Sequence, residues 1–311
     1  MEFVATIAGL AALFIGGESL VRGAVSAARA LGVSRLLIGL TVVAASTSSP
    51  ELLVSLRAAV DGHPDIAVGN VVGSNIANIA LVLGLCALIA PIRIAPHRVR
   101  PDVAASISGA LAIGALAVLG RAPVWAGALL LAAGVTHTAE AYQRSRSEGS
   151  EHDDVSDEIP SVASWPGTVL RIAGGIALLA LGADWLVWGA QRIASDLGVP
   201  EAAIAVTLVA VGTSLPEIAT SIVAAVRGHG DVAVGNAIGS NVFNIFGVLG
   251  LTAAIAPVPV SQRFFALEVP VLLAFSAVVW WALCLRGRLG RVTGSLLMLA
   301  YAAYAAASFM R

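Results

Sequence analysis

The sequence predicts an all-α polytopic membrane protein with ten transmembrane helices, arranged as two inverted-topology repeats of five helices. Three observations predict this fold. The chain of 311 residues is 58% hydrophobic and only 12% charged, with a mean hydropathy of +0.90. It divides into ten long apolar spans, and a bilayer requires about 20 apolar residues for each spanning helix. In addition, one stretch of 45 residues occurs twice.

The apolar spans define the organisation of the chain. No run alternates polar and apolar residues as the strands of a membrane barrel would, so we interpret every span as a helix. The first repeat is predicted at residues 1–142, a linker at 143–165 and the second repeat at 166–311. The ten spans lie at residues 3–31, 35–60, 65–90, 99–119, 123–142, 167–196, 200–226, 231–256, 264–285 and 290–309.

The duplicated stretch covers residues 41–85 and again residues 207–251. The two copies align without a gap and are identical at 27 of 45 positions, which indicates an internal duplication. Each copy carries one carboxylate in an apolar surrounding, Glu51 in the first and Glu217 in the second. Hydroxyl and amide side chains cluster in sequence around each carboxylate: Thr47, Ser48, Ser74, Asn75 and Asn78, and then Thr213, Ser214, Ser240, Asn241 and Asn244.

The first span contains two charged residues. Glu18 and Arg22 are four residues apart, so they share a helix face and can pair, which lowers the cost of placing either in a membrane. Asp184 occupies the equivalent position in the sixth span. We interpret these charges as paired or interfacial anchors of their helices; a place on the ion path is the alternative.

Proline and glycine predict that helices 2, 3, 7 and 8 are broken. Pro50 has no N–H, so the carbonyl of Ser46 loses its helical partner, and Pro216 recurs at the same place in the second copy. A freed carbonyl inside a membrane needs another partner, and a bound cation is one. The glycine-containing segments 69–75 and 235–241 are predicted to interrupt helices 3 and 8. The broken helices would form one cation site near the bilayer midplane.

The arginines predict the orientation. All 18 basic residues are Arg. With the N-terminus outside, twelve arginines fall on the cytoplasmic side and five on the outer side, which the positive-inside rule favours. Both termini are then outside and the linker is cytoplasmic, in a bacterial or archaeal plasma or inner membrane. Because each half has five spans, the second half enters the membrane upside down relative to the first.

The chemistry of two buried carboxylates predicts ion exchange. Their charge must be compensated by one divalent cation, two protons or two monovalent cations before the site can close to water. Only a protein with an occupied site can then pass through the closed state from one side of the membrane to the other, so exchange is obligatory. Many hard oxygen ligands suit Ca2+. Neither motif gathers His or Cys side chains, which argues against Zn2+ or Cu+.

The two motifs resemble those of the sodium/calcium exchanger family, in the cation/Ca2+ antiporter superfamily. In this chain the motifs read from Ser46 to Glu51 and from Gly69 to Asn78, and again at residues 212–217 and 235–244. The resemblance covers essentially the whole chain. It implies export of Ca2+ driven by entry of Na+, with alternating access by sliding of spans 1 and 6 over a fixed core.

The resemblance also implies twelve ligand residues, six from each repeat. The implied Ca2+ ligands are two carboxylates, two hydroxyls and two main-chain carbonyls: Glu51, Glu217, Thr47, Thr213, Ala44 and Ala210. The implied Na+ site uses the same carboxylates and four serines: Ser48, Ser214, Ser74 and Ser240. Two amides complete the central site: Asn78 and Asn244.

Two departures from the family pattern leave alternatives open. Sodium-coupled relatives often carry Asp where this chain has Asn244, and Ser46 replaces a glycine of the motif. With two central carboxylates, a Ca2+/H+ antiporter on the same fold is the alternative function. An enzyme is not expected, because the chain lacks H-E-x-x-H and a Ser–His pairing within the spans; a channel fits broken helices less well. We expect a monomer in the lipid bilayer with no organic cofactor, nucleic acid or protein partner.

Overall fold

The computed structural model describes residues 1–147, 164–196, 212–255 and 257–309. Helices dominate these ranges. In the first half they are α1 Glu2–Leu31, α2 Arg35–Thr47, α3 Ser49–Val60, α4 Pro64–Ile89, α5 Pro96–Leu119 and α6 Val124–Ser147. In the second half they are α7 Trp165–Asp196, α8 Leu215–Val226, α9 Gly230–Ile255, α10 Arg263–Ala266, α11 Glu268–Leu285 and α12 Arg291–Phe309.

The helices have the length and composition of membrane spans. Among the described residues, six helices are long and apolar enough to cross a membrane, and a seventh span is counted if the bent pair α2 and α3 is one span. Within the described ranges, these helices coincide in position with the apolar spans of the sequence. The prediction of an all-α polytopic membrane protein is therefore confirmed.

Helices α1 and α7 pack against each other in antiparallel fashion along most of their length. Gly9 lies opposite Leu186, while Gly23 lies opposite Ile172, so the chain directions are opposed. The contact depends on a glycine at every seventh position, because a Cβ atom on these residues would meet the facing helix at 3.0 Å or less. Small residues allow such close approach of helix backbones within a membrane. The glycines of this seam are Gly9, Gly16, Gly23, Gly175, Gly182 and Gly189.

Two short antiparallel ribbons join the halves. Strand β1, Ile92–Arg93, pairs with β4, Arg288–Leu289. Strand β2, Arg121–Ala122, pairs with β3, Val258–Pro259. Each ribbon takes one strand from each half of the chain, and the two ribbons lie at the two ends of α5, so the halves are joined at both ends of this helix.

The predicted break between α2 and α3 is confirmed. Helix α2 ends at Thr47, α3 begins at Ser49, and the two axes differ by 47°. Pro50 is the second residue of α3, where the missing N–H has no helical acceptor to lose. In the second half, α8 likewise begins at Leu215 with Pro216 next.

The predicted breaks in helices 3 and 8 are wrong. Helix α4 continues through residues 69–75 and α9 through residues 235–241. Each instead widens into a π-helical turn further along, at Asn78–Val82 and at Phe243–Leu249. Glycine within a helix costs only about 1 kcal/mol. At Gly235 the glycine serves close packing, since a Cβ there would lie 2.7 Å from the carbonyl oxygen of Leu36 on α2.

Helix α6 extends past the predicted end of the first repeat at residue 142. Helix α6 extends through residues 143–147, which the sequence assigned to the linker, and α7 begins at Trp165. Residues 148–163 lie outside the described ranges. The apolar span predicted to end at residue 142 therefore continues as a polar helical extension that carries Arg144 and Arg146.

Candidate cation site

The two carboxylates occupy equivalent positions at the start of two short helices. Glu51 is the third residue of α3, and Glu217 is the third residue of α8. Both side chains have 0% exposure. The first turn of a helix presents unpaired N–H groups and a positive dipole end, which stabilise a negative side chain. The first turns of α3 and α8 thus create the environment in which a buried carboxylate is tolerated.

A direct contact joins the halves at this point. The Ser48 hydroxyl donates a hydrogen bond to Oε1 of Glu217 at 2.8 Å. Within the first half, the Ser74 hydroxyl lies 3.5 Å from Oε1 of Glu51, at the limit of a hydrogen bond. Oε2 of each carboxylate is buried and has no hydrogen-bond partner in the described part of the chain. Each carboxylate therefore keeps one oxygen for a further ligand.

The bend before α3 places Thr47 against the second half. Its hydroxyl lies 3.1 Å from Oδ1 of Asn236 and 3.3 Å from the carbonyl oxygen of Ala44. That carbonyl also accepts a hydrogen bond from the Ser48 backbone N–H at 2.9 Å. The implied ligand oxygen of Ala44 is therefore engaged within its own helix in this conformation. Its counterpart Ala210 lies outside the described residues.

Four of the remaining implied ligands are fully enclosed and carry unpartnered polar atoms. Within the described ranges, the hydroxyls of the two serines and both polar atoms of each amide lack hydrogen-bond partners. An unsatisfied buried polar group costs about 1–3 kcal/mol, so such a concentration is typical of a ligand site rather than of packing alone. These residues are Ser214, Ser240, Asn78 and Asn244. Thr213 stands at the turn before α8, half-buried and engaged.

Sequence reasoning missed a pair of bracing amides. Nδ2 of Asn70 lies 3.1 Å from the carbonyl oxygen of Glu51 and 2.9 Å from the Ser55 hydroxyl. Nδ2 of Asn236 makes the same two contacts in the second half, to Glu217 at 3.3 Å and Ser221 at 2.9 Å. The bracing amides tie each glutamate-bearing helix to its neighbour. The available signal was their recurrence at the same motif position in both copies.

A second missed pair lies between α4 and α9. Nδ2 of Asn241 donates to the carbonyl oxygen of Asn75 at 3.3 Å, a contact between the halves. Both side-chain polar atoms of Asn75 are buried without partners in the described chain. The sequence placed these amides in the polar cluster but assigned them no role. Their position adds a second point at which the two halves meet.

The charge pair predicted in the first span is confirmed, and a third charged residue joins it. Nε of Arg22 donates to Oε1 of Glu18 at 2.5 Å. Arg227, which follows α8, also binds Glu18, with Nε 2.8 Å from Oε2. Arg227 lies 209 positions away in the sequence, so helix periodicity within the first span could not reveal it.

A family model and several known proteins match most of this chain. The family model described as sodium/calcium exchanger protein matches residues 1–134 and 168–310. The protein CaxA of Alkalimonas amylolytica is 37% identical, over 97% of this chain and 97% of its own. The sodium/calcium exchanger MaX1 of Methanosarcina acetivorans is 30% identical, over 98% and 97%. The inner membrane protein YrbG of Escherichia coli is 32% identical, over 90% and 87%.

The fold matches solved structures of an exchanger. The sodium-calcium exchanger NCX_Mj, soaked with 2.5 mM Na+ and 0.1 mM Ca2+, superimposes with a TM-score of 0.84 at 30% identity, covering 98% of this chain and 97% of that one. The same protein soaked without Na+ and Ca2+ gives a TM-score of 0.85. MaX1 and NCX_Mj are named as sodium/calcium exchangers, which are transporters rather than enzymes. With the family model matched over both halves, this multi-pass membrane protein belongs to the sodium/calcium exchanger protein family.

Proposed function

We propose that this protein is a secondary active antiporter that exports Ca2+ in exchange for Na+ by alternating access. The observation that carries the proposal is the contact of the two halves at a pair of fully buried carboxylates, with Ser48 of one half bonded to Glu217 of the other. The membership of the family and the similarity to the sodium/calcium exchanger MaX1 and to NCX_Mj support the choice of ions.

The proposed site is one cavity shared by both halves. Glu51 and Glu217 would supply two negative charges, which balance one Ca2+. The hydroxyls and amides around them supply neutral oxygens, and Ca2+ takes six to eight oxygen ligands. Because an uncompensated pair of carboxylates is costly within a membrane, the loaded site would close more readily than the unloaded one. This difference couples the movement of one ion to the return of the other.

The proposed architecture is ten membrane spans in two inverted repeats. The antiparallel packing of α1 on α7 supports it, as does the exchange of one strand between the halves in each ribbon. The arginine distribution supports an outer N-terminus and a cytoplasmic linker. In this arrangement the carboxylates would meet near the midplane, as in many secondary transporters.

Whether Na+ or H+ is exchanged for Ca2+ depends on the charge and ligands of the central site. Asn244 is buried and both its side-chain polar atoms lack partners among the described residues. An amide oxygen at this position can serve as a neutral ligand for Na+, although it leaves the site with two carboxylates. The same two carboxylates could carry two protons, which is the observation that favours a Ca2+/H+ antiporter as the second candidate.

Transport by reconstituted protein separates these two candidates. Proteoliposomes loaded with Na+ and diluted into Na+-free buffer should accumulate 45Ca2+, while a matched set driven only by a pH gradient should not. The Glu51→Gln variant should remove the Na+-driven uptake. Uptake that follows the pH gradient and ignores Na+ would replace sodium with protons in the proposal. Absence of uptake under both gradients would contradict antiport.

Adjacent serines provide a test of the contact between the halves. We expect Ser48→Ala to weaken Ca2+ binding by roughly tenfold or more, because a hydrogen bond to a charged group contributes about 1.5–3 kcal/mol. Ser49→Ala is the matched control, since that hydroxyl donates to the Ala45 carbonyl at 2.9 Å and is exposed. Calorimetric titration of the purified variants with Ca2+ measures both. Equal affinities in the two variants would remove Ser48 from the site.

A further inference from the structure

A two-point ion pair ties the first helix to the end of α8. Nε of Arg227 donates to Oε2 of Glu18 at 2.8 Å, and its terminal nitrogen lies 2.7 Å from Oε1. The Glu18 side chain is only 16% exposed. Paired N–H groups that face both oxygens of one carboxylate fix geometry as well as adding energy. The contact therefore fixes the position of α1 relative to α8.

The duplication does not repeat this ion pair. The register of the two motif copies aligns Glu18 with Asp184 and Arg227 with Asp61. The mirror contact would join two carboxylates, which repel each other. In the structure Asp61 accepts a hydrogen bond from Arg57 at 2.6 Å, while Asp184 is exposed and forms no ion pair in the described part of the chain. The structure thus contains the attractive pair on one side, while the equivalent positions on the other side are two carboxylates, which would repel each other if they met.

In a protein built from inverted repeats, this difference in charge between the two sides would favour one conformation over the other. When access alternates, each half adopts the arrangement that the other half had, so a contact on one side is exchanged for its mirror on the other. The present arrangement contains the Glu18–Arg227 pair. The mirrored arrangement would lose it and bring Asp184 towards Asp61. The two arrangements therefore differ in electrostatic free energy, although the helices are duplicated.

We propose that Glu18 and Arg227 form a conformational latch, with Arg22 as an additional partner, which favours the state closed on the side of Arg227. The latch rests on the proposed antiport function and orientation, in which Arg227 is cytoplasmic. By holding α1 against the cytoplasmic end of α8, the latch would oppose opening of the site to the inner face and so favour its opening to the outer face. Glu18 and Arg227 act as positioning residues, since they touch no carboxylate of the cation site.

Two variants shift the balance in the same direction by different means. Arg227→Gln removes the latch, so we expect the half-saturating Ca2+ concentration to rise about two- to fivefold on the outer face and to fall on the inner face. Asp61→Arg creates an attractive mirror pair with Asp184 and should shift both values in the same sense as Arg227→Gln. Asp61 is exposed, so this variant tests the latch even if Arg227→Gln does not fold.

Right-side-out and everted membrane vesicles present opposite faces for this measurement. The matched control is Arg146→Gln, which removes an arginine that stacks on Tyr142 at 5.9 Å and should leave the ratio of the two half-saturating concentrations unchanged. The double variant Glu18→Gln with Arg227→Gln should equal Arg227→Gln alone, because the remaining Glu18–Arg22 pair lies within α1 and joins it to no second helix. An unchanged ratio in Arg227→Gln and in Asp61→Arg overturns the latch. Lack of Ca2+ exchange in wild-type vesicles would instead contradict the proposed function.

Discussion

Replacing either Glu51 or Glu217 with glutamine is expected to abolish Ca2+ binding. Each substitution removes one of two charges that would balance the ion, in a site where both side chains have 0% exposure. Loss of a partner from a buried charge interaction costs about 3–5 kcal/mol, which corresponds to a weakening of at least roughly 100-fold. The two variants should be equally defective, because the halves contribute to one site.

Thermal unfolding distinguishes this loss from misfolding. Ca2+ should raise the melting temperature of the wild-type protein, because a ligand that binds the native state stabilises it. In both variants the Ca2+-dependent rise should vanish. Without Ca2+, both variants should melt above the wild type, since the substitution relieves the cost of two nearby buried carboxylates. Glu140→Gln, a change at a side chain with 60% exposure, is the control. A single variant that retains Ca2+ binding would contradict the shared site.

Replacing Gly239 with alanine is expected to cause the second large loss. A Cβ atom at this position would lie 2.5 Å from the carbonyl oxygen and 2.6 Å from the Cα atom of Leu40. Both are backbone atoms of α2, so no side-chain rotation can relieve the clash. Overpacking of this kind costs roughly 1–3 kcal/mol. Displacement of α2 would also move Thr47 and Ser48, and we expect Ca2+ affinity to fall at least roughly tenfold.

Stability and affinity should both be measured for this variant. Denaturation in detergent reports the free energy of unfolding, and calorimetric titration reports Ca2+ affinity. Gly174→Ala provides the matched change within a helix, because no described atom lies within 4 Å of its Cβ position. Alanine there should be neutral or stabilising, since it has the higher helix propensity. Wild-type affinity in Gly239→Ala would show that α2 and α9 need not approach so closely.

The sequence was sufficient for the fold class and the membrane environment. Apolar spans dictate membrane helices, because backbone groups must find their partners internally when lipid replaces water. The duplication identified Glu51 and Glu217 as equivalent, since a carboxylate kept at the same place in both copies of an apolar stretch stands out. Proline at position 50 located the bend before α3 for a local reason, the loss of an N–H donor. The family resemblance followed from the same motifs.

The tertiary structure alone decided which groups meet. The Ser48–Glu217 hydrogen bond, the amide of Asn236 beside Thr47, and the ion pair of Glu18 with Arg227 join positions 169, 189 and 209 residues apart. No periodicity spans such distances, because these contacts depend on how helices cross. The same limit explains the wrong breaks in helices 3 and 8. Glycine in a sequence permits either a break or a close crossing, and only the packed neighbour determines which of them occurs.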